Sequence, residues 1–581
     1  MKSDSQILWR IVKLALPYRR ILYAVLLLAV VLAPLRLSSP YLINIIVDHY
    51  IQHSPYTIIA LLSALFILML LLQTAAEYGF VYLSEKLGQE IILALRTKLY
   101  NRIMDFRLQY FDRTPIGKLT TRCVNDIETL GVVFTRQGLP MIIADILSII
   151  AILILMLLLS VKMTLIFLLT MPLMMIATYI FKEKVKRSFQ RVRQRLAEMN
   201  AFMQERISGI QTVHVLDAQK AEMRHFDHIN AAYTRAHLDT VLYYSVFFPV
   251  VDWISSLALA LMVWWGAVEV LHAEVTIGTL VAFPIYIQRI FRPIRFLADK
   301  FNNIQMAMVA SHRVFRLLDD PTLPEDDTGK VLPAVEGAIR LEGLYFGYDP
   351  NHFILKDIHL HIPSRSTCAL VGATGSGKTS IANIICKLYE YQKGHAYLDG
   401  EEIRSLQRHS LRKHTGVVLQ DVFLFSDTIL ENIRLRDPSI SRERVVQAAR
   451  QIGVHELICQ FPDGYDYMLQ ERGANLSVGQ RQLIAFVRVL VLNPRILILD
   501  EPTSAIDVLT EKLIQNALPV ITKDRTTIII AHRLSTIRNA DKIVVMEDGR
   551  IVEEGNFESL LQKDGYFKNL YQRQSQHTHI C

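Results

Sequence analysis

The apolar excess of this chain is confined to its first half. There it divides into about six runs, each long enough to cross the ~30 Å hydrocarbon core of a bilayer as a helix. The runs lie near Ile21 to Val47, Tyr56 to Tyr82, Leu139 to Leu159, Met163 to Phe181, Val241 to Val270 and Ile277 to Leu297. With 51% hydrophobic residues over 581 positions, the chain is too apolar for a soluble protein of two or three domains. It reads as a helical membrane domain followed by a domain of ordinary polarity.

Charge sets the expected orientation. The segments after the second and fourth runs are basic, with Lys86, Arg96, Lys98, Arg102 and Arg107 in one and Lys182, Lys184, Lys186, Arg187, Arg191 and Arg193 in the other. The links near His53 and His272 carry no Lys or Arg, and the link between the third and fourth runs offers only Lys162. The positive-inside rule then places both termini in the cytoplasm. The net charge of +8 is concentrated beside the spans, so topology explains it and nucleic acid is not an expected partner. Ile7 to Leu16, with Arg10 and Lys13, reads as an amphipathic interfacial helix rather than a cleaved signal. The cysteines Cys123, Cys368, Cys386, Cys459 and Cys581 show no metal-ligand spacing and suggest no disulfide framework.

The second half carries the chemistry. Gly372-Ala373-Thr374-Gly375-Ser376-Gly377-Lys378-Thr379 follows the apolar run Cys368 to Val371 and precedes Ile381 to Ile385, the strand, loop and helix context of a P-loop. Its glycines let the backbone curl until the N–H groups face a phosphate chain. Lys378 is placed to reach the β- and γ-phosphates, and the Thr379 hydroxyl to hold Mg²⁺. Downstream, Ile496-Leu497-Ile498-Leu499 reads as a buried parallel strand that delivers Asp500 and Glu501 at its carboxyl end, where open α/β sheets bind ligands. Leu476-Ser477-Val478-Gly479-Gln480 offers a hydroxyl and backbone N–H groups at a helix start, a second anion-binding surface.

Taken together, these motifs resemble the ATP-binding cassette (ABC) ATPases, and the fused order of the chain resembles the multidrug-type ABC exporters. The resemblance covers nearly the whole chain and is strongest from Ile339 to Leu570. It implies ATP and Mg²⁺ as cofactors. It also implies that Gly372 to Thr379 and Ser380 cradle the nucleotide, that Tyr348 stacks on adenine, and that Gln420 links metal and attacking water to the membrane domain. Asp500 would position Mg²⁺ through water, Glu501 would act as general base and His532 would contact the γ-phosphate. The signature Leu476 to Gln480 and the D-loop Ser504 to Asp507 would serve the nucleotide of an opposed cassette, so a second half-transporter is an implied partner. Glu471-Arg472-Gly473 resembles the exporter loop that touches the partner's membrane part. Phe106 to Asp126 and Glu205 to Phe226 resemble the cytoplasmic coupling elements, in which helices extend beyond the bilayer and short transverse helices dock on cassettes.

The implied architecture is a helical transmembrane domain of exporter type at 1–317, a linker at 318–338, an α/β P-loop ABC ATPase at 339–574 and a tail at 575–581. The implied setting is the bacterial cytoplasmic (inner) membrane. Val478 stands where the family usually has Gly, and Gln480 to Leu483 lacks the usual second Arg. Such variants resemble one half of heterodimeric exporters, whose partner has a degenerate catalytic carboxylate; a homodimer stays open. Cargo is legible only as a class: drug-like amphiphiles, lipids or a peptide. A channel or ATP sensor of the same architecture is the alternative outside the transporter class. Asp145 and Asp252, acidic at expected membrane depth, mark a cavity or a substrate cation, or else lie near an interface or pair with Arg289 or Arg292. Tyr243, Tyr244, Phe247, Phe248 and Trp253 either line a pocket for flat cations or pack helices, and Trp264 and Trp265 suit an interfacial belt.

Overall fold

Long uninterrupted helices follow from the apolar runs, because peptide groups in hydrocarbon find no water and must be satisfied within their own helix. The computed structural model describes residues 4–50, 56–321, 327–349, 351–500, 508–531 and 537–578. The chain forms two compact units. The first comprises Met1–Met104 and Ile116–Asp320, the second Asp105–Pro115 and Pro321–Cys581.

In order, the principal helices before the cassette are α1 (Asp4–Lys13), α2 (Arg19–Ile45), α3 (Tyr56–Met104), α4 (Leu108–Arg113), α5 (Leu139–Leu159), α6 (Val161–Ser208), α7 (Gln219–Leu271) and α8 (Ile277–Asp319). Among the described residues five helices are long and apolar enough to cross a membrane. The expected sixth run lies on α8, which continues unbroken to Asp319, and its described residues Ile277–Phe291 are apolar. The polar stretches after the second and fourth runs are helix rather than loop. At 1.5 Å per residue the 49 residues of α3 reach about 74 Å, more than twice the hydrocarbon thickness. Ser160 starts α6 by accepting from the Met163 N–H at 3.4 Å, and Thr276 starts α8 by accepting from the Thr279 N–H at 3.2 Å.

The helices α6 and α7 pair antiparallel along their length. Phe181 stacks on Phe247 with centroids 3.7 Å apart, Ser188 meets Thr240 at 2.7 Å, Arg191 meets Asp239 at 3.2 Å and Arg206 meets Glu222 at 2.6 Å. Each step forward on α6 is a step backward on α7. Tyr244 sits edge-on to Phe181 and stacks near Phe248, so these aromatics pack the helix pair. Trp253 is largely exposed. The N-terminal helix differs from expectation: Ile7 and Ile11 are buried, and Arg10 pairs with Asp319 while its guanidinium lies 3.9 Å over the Phe315 ring. The apolar face of α1 is thus covered by the end of α8 rather than by lipid alone.

The second unit contains β1 (Ile339–Phe346), β2 (Leu355–Ile362), β3 (Thr367–Gly372), β4 (Lys393–Leu398), β5 (Glu401–Glu402), β6 (Thr415–Val418), β7 (Ile496–Asp500), β8 (Thr526–Ile530), β9 (Lys542–Glu547) and β10 (Arg550–Gly555). They form a four-stranded antiparallel sheet, β2-β1-β4-β5, and a six-stranded sheet, β10-β9-β3-β8-β7-β6, parallel except for β10. Successive side chains on a strand face opposite ways. Accordingly Cys368, Leu370, Ile496 and Ile498 enter one core while Ala369, Val371, Leu497 and Leu499 enter the other. Burial on both faces explains why these strands are apolar at every position.

Two expectations are refined. The stretch read as a linker belongs to its neighbours at both described ends: α8 runs to Asp319, and Leu332 and Val335 are buried in the cassette core. The first coupling segment is divided, with Asp105–Pro115 in the second unit and Ile116 onward in the first, where the buried Asp126 receives both arms of Arg313 at 2.8 and 2.5 Å. The four described cysteines are free. Burial pushes the Cys368 and Cys386 thiols up to about 12. Maleimide labelling of the folded protein, followed by mass spectrometry, is therefore expected to modify Cys459, which is exposed, and to spare Cys368 and Cys386 until denaturant is added.

Candidate nucleotide site and membrane cavity

The register of the parallel strands assembles the first site. Leu370 on β3 pairs with Ile530 on β8, Ile530 pairs with Asp500 on β7, and Val418 on β6 pairs with Leu499. The carboxyl ends of four strands therefore lie at one edge. Gly372 ends β3, Asp500 ends β7 and Gln420 follows β6 by two residues. Glu501, His532 and Asp507 lie outside the described residues.

From β3 the chain turns into α9 (Lys378–Ile385). Gly375 and Gly377 take φ values of +87° and +101°, which favour glycine, and a Cβ on Gly377 would come within 2.5 Å of the Leu355 side chain. Gly377 is also the N-cap of α9, where no side chain supplies a capping hydrogen bond. Amide groups of its first turn are left to an anion. Ala373, Thr374, Gly375 and Thr379 are exposed, whereas Ser376, Lys378 and Ser380 are buried. Lys378 Nζ donates to the Gly372 and Ala373 carbonyls at 2.9 Å each. Ser376 Oγ is buried and makes no hydrogen bond among the described residues. An orphan hydroxyl in a glycine-rich loop at a helix N-terminus fits a phosphate oxygen.

Tyr348 lies beside this helix. Its hydroxyl meets Ser380 Oγ at 3.4 Å and accepts from Asn383 Nδ2 at 3.0 Å, and its ring sits edge-on to Phe346 and Tyr389. The α4 segment packs here too: Gln109 and Arg113 donate to the Tyr348 carbonyl at 3.5 and 3.2 Å, and the Tyr389 hydroxyl donates to Asp112 at 2.5 Å. Burial, and then the Asp112 carboxylate, raise the Tyr389 hydroxyl above its ordinary range. These contacts were not legible in the sequence.

The signature opens α10 (Val478–Leu492). Ser477 Oγ accepts from the Gln480 N–H at 3.2 Å while Gln480 Oε1 accepts from the Ser477 N–H at 2.9 Å, a capping box. The Ser477 O–H remains able to donate. Leu476 and Gly479 are buried, and Val478 is 42% exposed. Arg481 braces the loop by donating to the Gly473 and Leu476 carbonyls at 3.3 and 3.0 Å, a role the sequence reading missed. Arg472, inside the Glu471 to Gly473 turn, has a positive φ of 57°.

The first unit holds a second candidate site, a cavity of about 660 Å³ among α2, α3, α5 and α8. Asp145 lies on its wall and is buried, paired with Lys300 and, at 3.6 Å, with Arg36. Arg36 also meets Glu77 at 3.7 Å. Asp145 therefore does pair with basic residues, though not with Arg289, which donates to Ser39 Oγ at 2.7 Å. Asp252 is exposed and does not line this cavity. Arg36 was findable by applying the intramembrane-charge rule to bases as well as acids.

Comparison with known proteins follows the same division. Residues 22–294 match the family described as the ABC transporter transmembrane region, and residues 355–504 match the family described as ABC transporter. An uncharacterized ABC transporter ATP-binding protein of Bacillus subtilis, YknV, is 35% identical, over 98% of this chain and 94% of its own length. YgaD of the same organism, provisionally named a multidrug export ATP-binding/permease protein, is 34% identical over 96% of this chain and 97% of its own. A bacterial Atm1-family ABC exporter with ATP bound superposes with a TM-score of 0.76 at 25% identity, covering 96% of this chain and 98% of that one.

Two substitutions separate support from binding. Ser477→Ala removes a helix cap and is expected to cost about 1 kcal/mol of cassette stability, read as a lower unfolding midpoint. Ser376→Ala removes a hydroxyl with no hydrogen-bond partner in the described chain, so the midpoint is expected to hold while nucleotide affinity, measured by titration, falls.

Proposed function

This chain belongs to the ABC transporters, as an exporter half-transporter whose cassette is an ATPase coupled to transport, and from that premise we propose that it exports a small amphiphilic substrate across the bacterial cytoplasmic membrane as one half of a dimer. The observation that carries the reading is the shared carboxyl edge of β3, β6, β7 and β8, which brings the Gly372 to Thr379 loop, Gln420 and Asp500 together. The basic segments beside the spans favour cytoplasmic termini and an ATPase that faces the cellular ATP pool.

In this reading the loop amides, Ser376 and Lys378 hold the β- and γ-phosphates of ATP. Ser380 supports the loop through its contact with Tyr348, whose ring supplies the adenine platform. Mg²⁺ is commonly bound through one or two protein ligands together with the substrate's phosphates. Mg²⁺ would be held by Thr379 and, partly through water, by Asp500 and Gln420, and when bound it supplies neutralisation of phosphate charge. Glu501 takes the proton of the attacking water and His532 contacts the γ-phosphate.

The Ser477 hydroxyl, the α10 N-terminus and Asp507 serve the nucleotide of a second cassette, so that ATP joins two chains. ATP drives the change only through its differential affinity for the joined state, and loss of the γ-phosphate releases it. A heterodimer is the favoured pairing. The exposed Val478 replaces the usual glycine while Glu501 is retained, so this chain supplies its P-loop to the active site and its altered signature to the weaker one.

Glu501→Gln is expected to bind ATP yet lower phosphate release by about 10²-fold or more, with labelled nucleotide retained after washing. Hydrolysis at the unmodified rate would remove the role given to Glu501. Lys378→Ala is expected to weaken ATP binding itself in the same titration. Uptake of a labelled amphiphile into inverted vesicles, dependent on hydrolysable ATP, distinguishes export from a channel. Full symmetric hydrolysis by the purified chain alone would overturn the heterodimer.

A further inference from the structure

We infer that the cavity in the membrane unit is an anion site, so that the cargo, under the export reading above, is an amphiphile with an anionic head group. Among the described residues the charges on its wall are unequal: Arg36, Arg136, Arg289 and Lys300 stand against Glu77 and Asp145. Both carboxylates are already engaged. Asp145 is shared by Lys300 and Arg36, and Glu77 meets Arg36 at 3.7 Å. Among the described residues a cationic cargo finds no carboxylate here that lacks a basic partner.

Arg289 has the opposite deficit. Its Nη2 donates to a neutral partner, Ser39 Oγ, at 2.7 Å, and its Nη1 is buried with no acceptor among the described residues. A guanidinium withdrawn from water with an idle donor is costly, and an anionic oxygen on the cavity side removes that cost. The fork of a guanidinium also suits carboxylate, sulfonate and phosphate oxygens better than a neutral group. Gln73 Oε1, likewise buried on the same wall and without a partner among the described residues, is an acceptor for a hydroxyl or N–H beside the anion. Met141 and Ile152 supply apolar wall for the rest of the molecule. The cavity is the size of sites that hold small molecules.

The test uses the full chain in phosphatidylcholine nanodiscs without nucleotide, and three fluorescent probes: dansylamino-undecanoic acid, its methyl ester and the matching amine. The acid is expected to bind about tenfold more tightly than the ester or the amine, the effect of one charge-assisted contact. Arg289→Gln is expected to abolish the preference, and Arg289→Lys to keep most of it. Equal or tighter binding of the amine to the unmodified chain overturns the inference whether or not the glutamine variant folds. So does an unchanged preference in a folded Arg289→Gln chain. Adding phosphatidylglycerol to the discs identifies the source of the head group: displacement of the acid points to a bilayer lipid, undiminished binding to a soluble amphiphile, and both keep the anion. Because nucleotide is absent, failure here bears on the cavity alone, whereas failure of ATP-dependent vesicle uptake bears on export.

Discussion

The cassette depends on a sheet that is closed on both faces. Alternate residues of β3 and β7 are committed to two separate cores, so neither face can bind a ligand and only the strand ends remain open. Because β3, β6, β7 and β8 run parallel, their carboxyl ends emerge on one edge. Residues far apart in sequence, Gly372, Gln420 and Asp500, thereby become neighbours of one site. A change that slipped one of these strands by a single residue would exchange its two faces and scatter the site as well as the core.

The membrane unit obeys the same economy in a different solvent. Its peptide groups are satisfied within long helices, and its charges are gathered rather than dispersed. Asp145 is held by Lys300 and Arg36, Glu77 by Arg36, and among the described residues basic groups outnumber acidic ones on the cavity wall. Apolar contacts do the remaining work: Phe181 on Phe247 and Tyr244 beside them lock α6 to α7, so those aromatics are structural.

Legibility in the sequence followed the range of the physics involved. The P-loop was legible because its glycines, its lysine and its strand and helix context act over a dozen neighbouring residues. The span Leu139 to Leu159 coincided with α5 because an apolar run needs no partner to declare itself. The N-terminal segment was legible as an amphipathic helix but its packing on α8 was not, since an amphipathic face looks the same whether lipid or α8 covers it. Leu332 and Val335 sat in a stretch that read as a linker, because a few buried apolar residues among polar ones carry no periodicity. The bond from Tyr389 to Asp112 and the bracing of the signature by Arg481 were invisible, as each joins segments that share no local pattern.

By itself the sequence determined that this chain has a helical membrane region and a P-loop ATPase fused to it, because hydropathy and phosphate chemistry are written in contiguous residues. The tertiary structure decided which groups share a site and with what balance of charge. It joined Gln420 and Asp500 at the edge of one sheet. It also paired Asp145 with bases and left Arg289 Nη1 without an acceptor among the described residues. Such facts depend on distances between remote segments, and only packing sets those distances.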